Sequence, residues 1–205
     1  MLNRLIAAVA LARSLVARLG TAMGYLAGWG FILCAGFITF DVLARRFFGF
    51  SSQSTTEITG YALAFGISWG LAHALTARAH VRIDILINRL PPAVRYPLHL
   101  LSLAALAVFV GFVAWGAYEL VDESLLFGAT DISLLRTPLW LPQGLWAAGI
   151  GVFLLLILLM LAETTLLVLA GRGAEAEAQL HARTYDEEAE EALEAIGVAR
   201  EGEGR

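Results

Sequence analysis

The stretch that decides the fold is GLWAAGIGVFLLLILLMLAETTLLVLA, residues 144–170, in which Glu163 is the lone charged residue. About 20 such residues suffice to cross the roughly 30 Å hydrocarbon core of a bilayer as a helix. No water reaches the backbone there, and a continuous helix pairs its own N–H and C=O groups. Working outward, LHLLSLAALAVFVGFVAWGAYEL at 98–120 is of the same kind, with His99 and Ser102 as its polar interruptions before Gly116. Two further apolar stretches lie upstream. The pattern predicts four spans, near 21–47, 57–77, 97–120 and 143–170. The fold class expected is an all-α integral membrane protein.

Composition agrees with this reading. Hydrophobic residues make up 59% and charged residues 16% of the chain, too lopsided for a soluble domain of this length. The net charge of −4 hides a division. Up to residue 171 arginines outnumber carboxylates by ten to eight, whereas residues 172–205 hold four Arg against ten Asp and Glu. The basic part belongs with the membrane, and 172–205 reads as an acidic cytoplasmic tail; no nucleic-acid partner is expected. In that tail Thr184 to Glu187 has capping-box spacing, so a short helix ending at Gly197 and an unstructured acidic segment both remain open. Cys34 is the single cysteine, which excludes an internal disulfide, and it reads as a small buried side chain.

Residues 1–20 contain Arg4, Arg13 and Arg18, which interrupt the apolar run before it can span. An amphipathic helix at the cytoplasmic interface, leading into the first span, is the expected form. Arginines in the short connections set the orientation. Arg4, Arg13, Arg18, Arg78, Arg82, Arg89, Arg95 and Arg172 fall on one side and Arg45, Arg46 and Arg136 on the other. Both termini and the middle connection are therefore expected in the cytoplasm. Tyr118, Trp140 and Trp146 fall near the outer boundary, where amphipathic rings favour the headgroup level.

Polar residues within spans are costly and usually functional. Asp41 stands four residues before Arg45, so an intrahelical pair is expected. Glu57 opens the second span at the positive end of the helix dipole. Arg45 and Glu57 either bridge the first two spans or are separately solvated. No carboxylate cluster or broken helix marks the midplane, where a transporter that binds its own substrate carries its site. No catalytic, substrate-binding or metal site and no cofactor is expected, and the chain is not expected to be an enzyme. Gly24 and Gly28 on the first span, and Gly66 and Gly70 on the second, repeat every four residues and are candidate helix-packing positions.

The middle connection, RAHVRIDILINRLPP at 78–92, mixes apolar Val81, Ile83, Ile85 and Leu86 with Arg82, Asp84 and Arg89. It reads as a second interfacial helix, stopped by Pro91 and Pro92. With DVLARRFFGF at 41–50, Glu57, GLAHALTARAHVRIDIL at 70–86 and SLLRTPLWLPQG at 133–144, the chain resembles the small permease (Q) subunit of tripartite ATP-independent periplasmic (TRAP) transporters. The resemblance covers about residues 20–170, the acidic tail and long N-terminal segment departing from it. It implies an inner-membrane partner of a large permease subunit, which binds solute and coupling sodium, and of a periplasmic solute-binding protein that delivers an organic acid. The small subunit would be the stator, with Arg78, His80, Arg82 and Asp84 holding the interfacial helix against the spans or binding a lipid phosphate. Two other readings stay open. His73 and His99, at similar depth, would suit a haem-binding redox anchor, and an unrelated four-span assembly protein has the same composition.

Overall fold

The computed structural model describes residues 1–77, 92–133, 135–173 and 175–176. These form four helices, α1 (Leu2–Phe48), α2 (Thr55–Thr76), α3 (Pro92–Leu126) and α4 (Trp140–Leu169). All four contain a segment long and apolar enough to cross a membrane, so the expected fold class is what the structure shows. Among the described residues the nearest thing to a sheet is an isolated bridge between Thr130 and Pro138.

The boundary expected near residue 20 is missing. The N-terminal segment and the first span form one helix of 47 residues, about 70 Å at 1.5 Å per residue and more than twice the bilayer core. Arginines at 4, 13 and 18 set the edge of the apolar stretch, but nothing there breaks a helix: no proline or glycine intervenes before Gly20. Gly49, at φ 63°, ends α1 in the left-handed conformation that a side chain would resist.

α4 is the hub. It packs against α1, α2 and α3, while α1 also packs along α2. The main core gathers Ala72 and Leu75 of α2, Leu103, Ala107 and Val110 of α3, and Ile150, Phe153, Leu156 and Ile157 of α4. Leu156 and Ile157 are fully buried. A second small cluster joins Ile6 to Leu167 and Ala176, binding the start of α1 to the end of α4. The bundle thus has a hairpin end, with the α1–α2 and α3–α4 connections, and a termini end.

Close approach is set by glycines. A Cβ at Gly20 would lie 2.8 Å from that of Ala72, and one at Gly24 would lie 2.7 Å from that of His73. A Cβ at Gly66 would overlap the Phe31 ring. Gly28 and Gly70, expected to share these contact lines, meet nothing within 4 Å. The reason is helical drift: at 100° per residue a four-residue step turns the position by about 40°. The sequence repeat therefore leaves the contact line after one or two steps. Gly149, which belongs to no such repeat, is the tightest crossing onto backbone, its Cβ position lying 2.8 Å from the Ser68 carbonyl carbon.

Outward faces are aromatic. On α1 Tyr25, Trp29, Phe40 and Phe47 are exposed, and on α3 Phe109, Phe112, Trp115 and Tyr118. Trp140 is also exposed, whereas Trp146, expected in the same boundary belt, turns inward against the main core. Trp69 faces α4, where its Nε1 donates to the Leu145 carbonyl at 2.8 Å.

Candidate functional site

Polar side chains collect at the two ends of the bundle. At the hairpin end the Asp41 carboxylate is 1% exposed and accepts from three directions. Arg45 Nη2 donates to its Oδ2 at 2.8 Å, the intrahelical pair expected from the four-residue spacing. The Ser52 backbone N–H donates to its Oδ1 at 2.7 Å, and Ser51 Oγ lies 3.4 Å from Oδ2. A carboxylate of the first span thereby fixes the turn that leads into the second. That role was not legible, because the donor is a backbone group whose position depends on the turn itself.

Glu57 is held by a different set. Its Oε1 accepts from Thr137 Oγ1 at 2.7 Å, and Tyr61 Oη lies 3.1 Å away. The same phenol donates to Asp131 Oδ2 at 2.6 Å. Glu57, Tyr61, Asp131 and Thr137 thus tie the first turns of α2 to the α3–α4 connection. The bridge between Arg45 and Glu57 is not formed. Arg45 is taken by Asp41 and Ser51, one helical turn and one turn residue away, so Glu57 points across the bundle. Ser54 to Glu57 has the spacing of a capping box, but Ser54 makes no side-chain cap and instead donates to the Ser52 carbonyl.

At the termini end Arg13 Nε donates to Glu163 Oε2 at 2.5 Å. Glu163 is 3% exposed, and the pair joins the N-terminal third of α1 to the last turns of α4. The residues stand 150 positions apart, so no local spacing announces the contact. A full charge in that setting is costly unless paired. Its presence in an otherwise uncharged stretch was therefore the signal that some cation must reach it.

The histidines divide. His73 packs against α1, its ring 5.9 Å from that of Tyr25 and its Cβ against Gly24. His99 is buried on α3. The contact of His73 with α1 makes it part of the α1–α2 packing seam. Among the described residues no group of three or more His, Cys, Asp or Glu is placed to hold a metal ion. Arg78, His80, Arg82 and Asp84 lie outside the described residues, as do the tail positions 184–197.

What the arrangement does chemically is lock helices together. The Asp41, Glu57–Asp131 and Arg13–Glu163 sets each join two elements of the same chain, and a shell of aromatic and aliphatic side chains faces outward. Residues 34–167 match the family model described as "Tripartite ATP-independent periplasmic transporters, DctQ component". No curated protein and no solved structure matches the chain.

Proposed function

This chain belongs to the DctQ component family of the tripartite ATP-independent periplasmic transporters, and we propose that within such a transporter it is the static membrane scaffold. The large permease subunit would then bind and move the solute with sodium, and a periplasmic binding protein would deliver that solute, an organic acid. The observation that carries this reading is the way the bundle spends its polar groups. Asp41 with Arg45, Glu57 and Asp131 with Tyr61 and Thr137, and Glu163 with Arg13 are each committed to holding two elements of this chain in register. Such groups brace a fold. A carrier keeps polar groups for its cargo.

Counting arginines places both termini in the cytoplasm, with the hairpin end outward where a binding protein would dock. Arg78, His80, Arg82 and Asp84 are then on the cytoplasmic side, in position to latch the middle connection against the ends of the spans or to hold a lipid phosphate. Gly28 and Gly70, open among the described residues, are available to helices of the partner.

The test is reconstitution. Proteoliposomes are prepared with this chain alone, with the large permease alone, and with both, each supplied with the binding protein and a sodium gradient. Uptake is expected when both membrane subunits are present. Solute binding is expected to survive on the large subunit by itself. Accumulation of solute by this chain alone overturns the proposal.

A further inference from the structure

Arg46 differs from the polar residues above. Arg45 is paired with Asp41, and Arg13 with Glu163. Arg46, at the same end of α1 as Arg45, makes no hydrogen bond or ion pair among the described residues, and it is exposed. It stands with Val42 and Arg45 around an open cleft of about 330 Å³. Positions 45 and 46 each lie one turn after 42, on either side of its line along the helix.

The surroundings of that cleft are graded. Toward the middle of the span the side chains one turn back from Arg46 are the apolar, exposed Val42 and Leu43. Toward the helix end Phe47 and Phe48 are exposed, at 74% and 84%. Beside Arg46, Arg45 uses Nη2 on Asp41 and Ser51, which leaves its other N–H groups facing outward on a side chain 63% exposed. One unneutralised guanidinium thus sits above an apolar wall, at the boundary depth of a membrane-spanning helix.

We propose that this cleft binds an anionic membrane phospholipid of the adjoining leaflet. The Arg46 guanidinium takes the phosphate through paired N–H donors, Arg45 adds its free edge, and Val42 and Leu43 receive the acyl chains. A guanidinium fork matches the geometry of a phosphate oxyanion, and no carboxylate among the described residues pairs with this one. The apolar wall is what selects a lipid over a free anion. Each basic residue near an anionic surface contributes about 1 kcal/mol. The site depends on the chain spanning the membrane and is independent of its role beside a permease.

The full-length chain, purified in mild detergent, is titrated with phosphatidylglycerol, with diacylglycerol of the same acyl chains, and with inorganic phosphate. Bound lipid is counted by native mass spectrometry. Phosphatidylglycerol is expected to stay bound to the wild type while diacylglycerol and phosphate do not. Arg46→Ala is expected to weaken it roughly fivefold, the loss of one such cation, Arg46→Lys to weaken it less, and Arg136→Ala to leave it unchanged. Circular dichroism checks that the variants fold, Arg46 having no hydrogen bond or ion pair to lose among the described residues. Equal retention by Arg46→Ala overturns the proposal, as does equal binding of diacylglycerol, which would show a purely apolar groove. Displacement of the lipid by millimolar inorganic phosphate, or photo-crosslinking from Val42 in native membranes to a protein in place of lipid, also overturns it.

Discussion

Glu163 shows how much one buried charge constrains its surroundings. A carboxylate 3% exposed in a membrane helix has to be compensated, and Arg13 reaches it from the far end of the sequence. Arg13→Ala is expected to lower stability by about 2 kcal/mol, the scale of a hydrogen bond to a charged group. The value falls below that of a fully buried pair because the arginine is 31% exposed. In the double variant with Glu163→Gln much of that loss is expected to return, because the carboxylate that required a cation has gone. Thermal melts of the four proteins of this cycle, in detergent, measure the coupling; strictly additive losses would show that the pair contributes nothing. The Asp41 cluster gives a second contrast. Asp41→Ala removes the acceptor of the Ser52 N–H, so the exchange rate of that amide is expected to rise and stability to fall by about 2 kcal/mol. Arg45→Ala removes a partner 63% exposed, is expected to cost below about 1 kcal/mol, and is expected to leave the Ser52 amide protected.

Elements are packed by single glycines more than by glycine repeats. Gly149→Ala would drive a methyl group into the backbone of Ser68 and the indole of Trp69, and is expected to cost about 1–3 kcal/mol by overpacking. Gly151→Ala, with open space around it, is expected to be neutral. A helical glycine exchanged for alanine otherwise gains up to about 1 kcal/mol from propensity, so the signs of the two melting shifts discriminate cleanly. This contrast also marks what was legible in the sequence. Length and hydropathy set the number of helices, because the bilayer fixes the length a span must have. The four-residue spacing set the Asp41–Arg45 pair, because one turn of helix fixes that distance. The contact glycines followed only partly. Gly24 and Gly66 lie on contact lines, Gly28 and Gly70 do not, and Gly149 carried no mark at all. Which face of a helix meets its neighbour depends on crossing geometry, and no pattern along one helix contains it. The same holds for Glu57, whose partner Thr137 comes from a connection 80 residues away.

The whole molecule is organised around α4, and the consequence differs from that in a soluble bundle. Leu156 is fully buried where α4 meets its neighbours. In a soluble protein Leu→Ala costs about 2–5 kcal/mol, part of it lost transfer from water and part the cavity left behind. In a bilayer the separated helices would place Leu156 in acyl chains as apolar as the core, so the transfer part largely vanishes and packing remains. Leu156→Ala is accordingly expected to cost about 1–3 kcal/mol, near the low end of the soluble range. Leu101, on the outward face of α3 and 66% exposed, makes little contact within this chain, so Leu101→Ala is expected to leave the melting temperature of the isolated protein unchanged. The informative measurement repeats both melts with the large permease present. A scaffold must cover some outward face on assembly. If α3 supplies it, Leu101→Ala becomes destabilising in the complex alone; if lipid covers α3, the variant stays neutral and the docking face belongs to α1 or α2. Loss of stability for Leu101→Ala already in the isolated chain would contradict the hub arrangement, since α3 would then be held by contacts beyond its seam with α4.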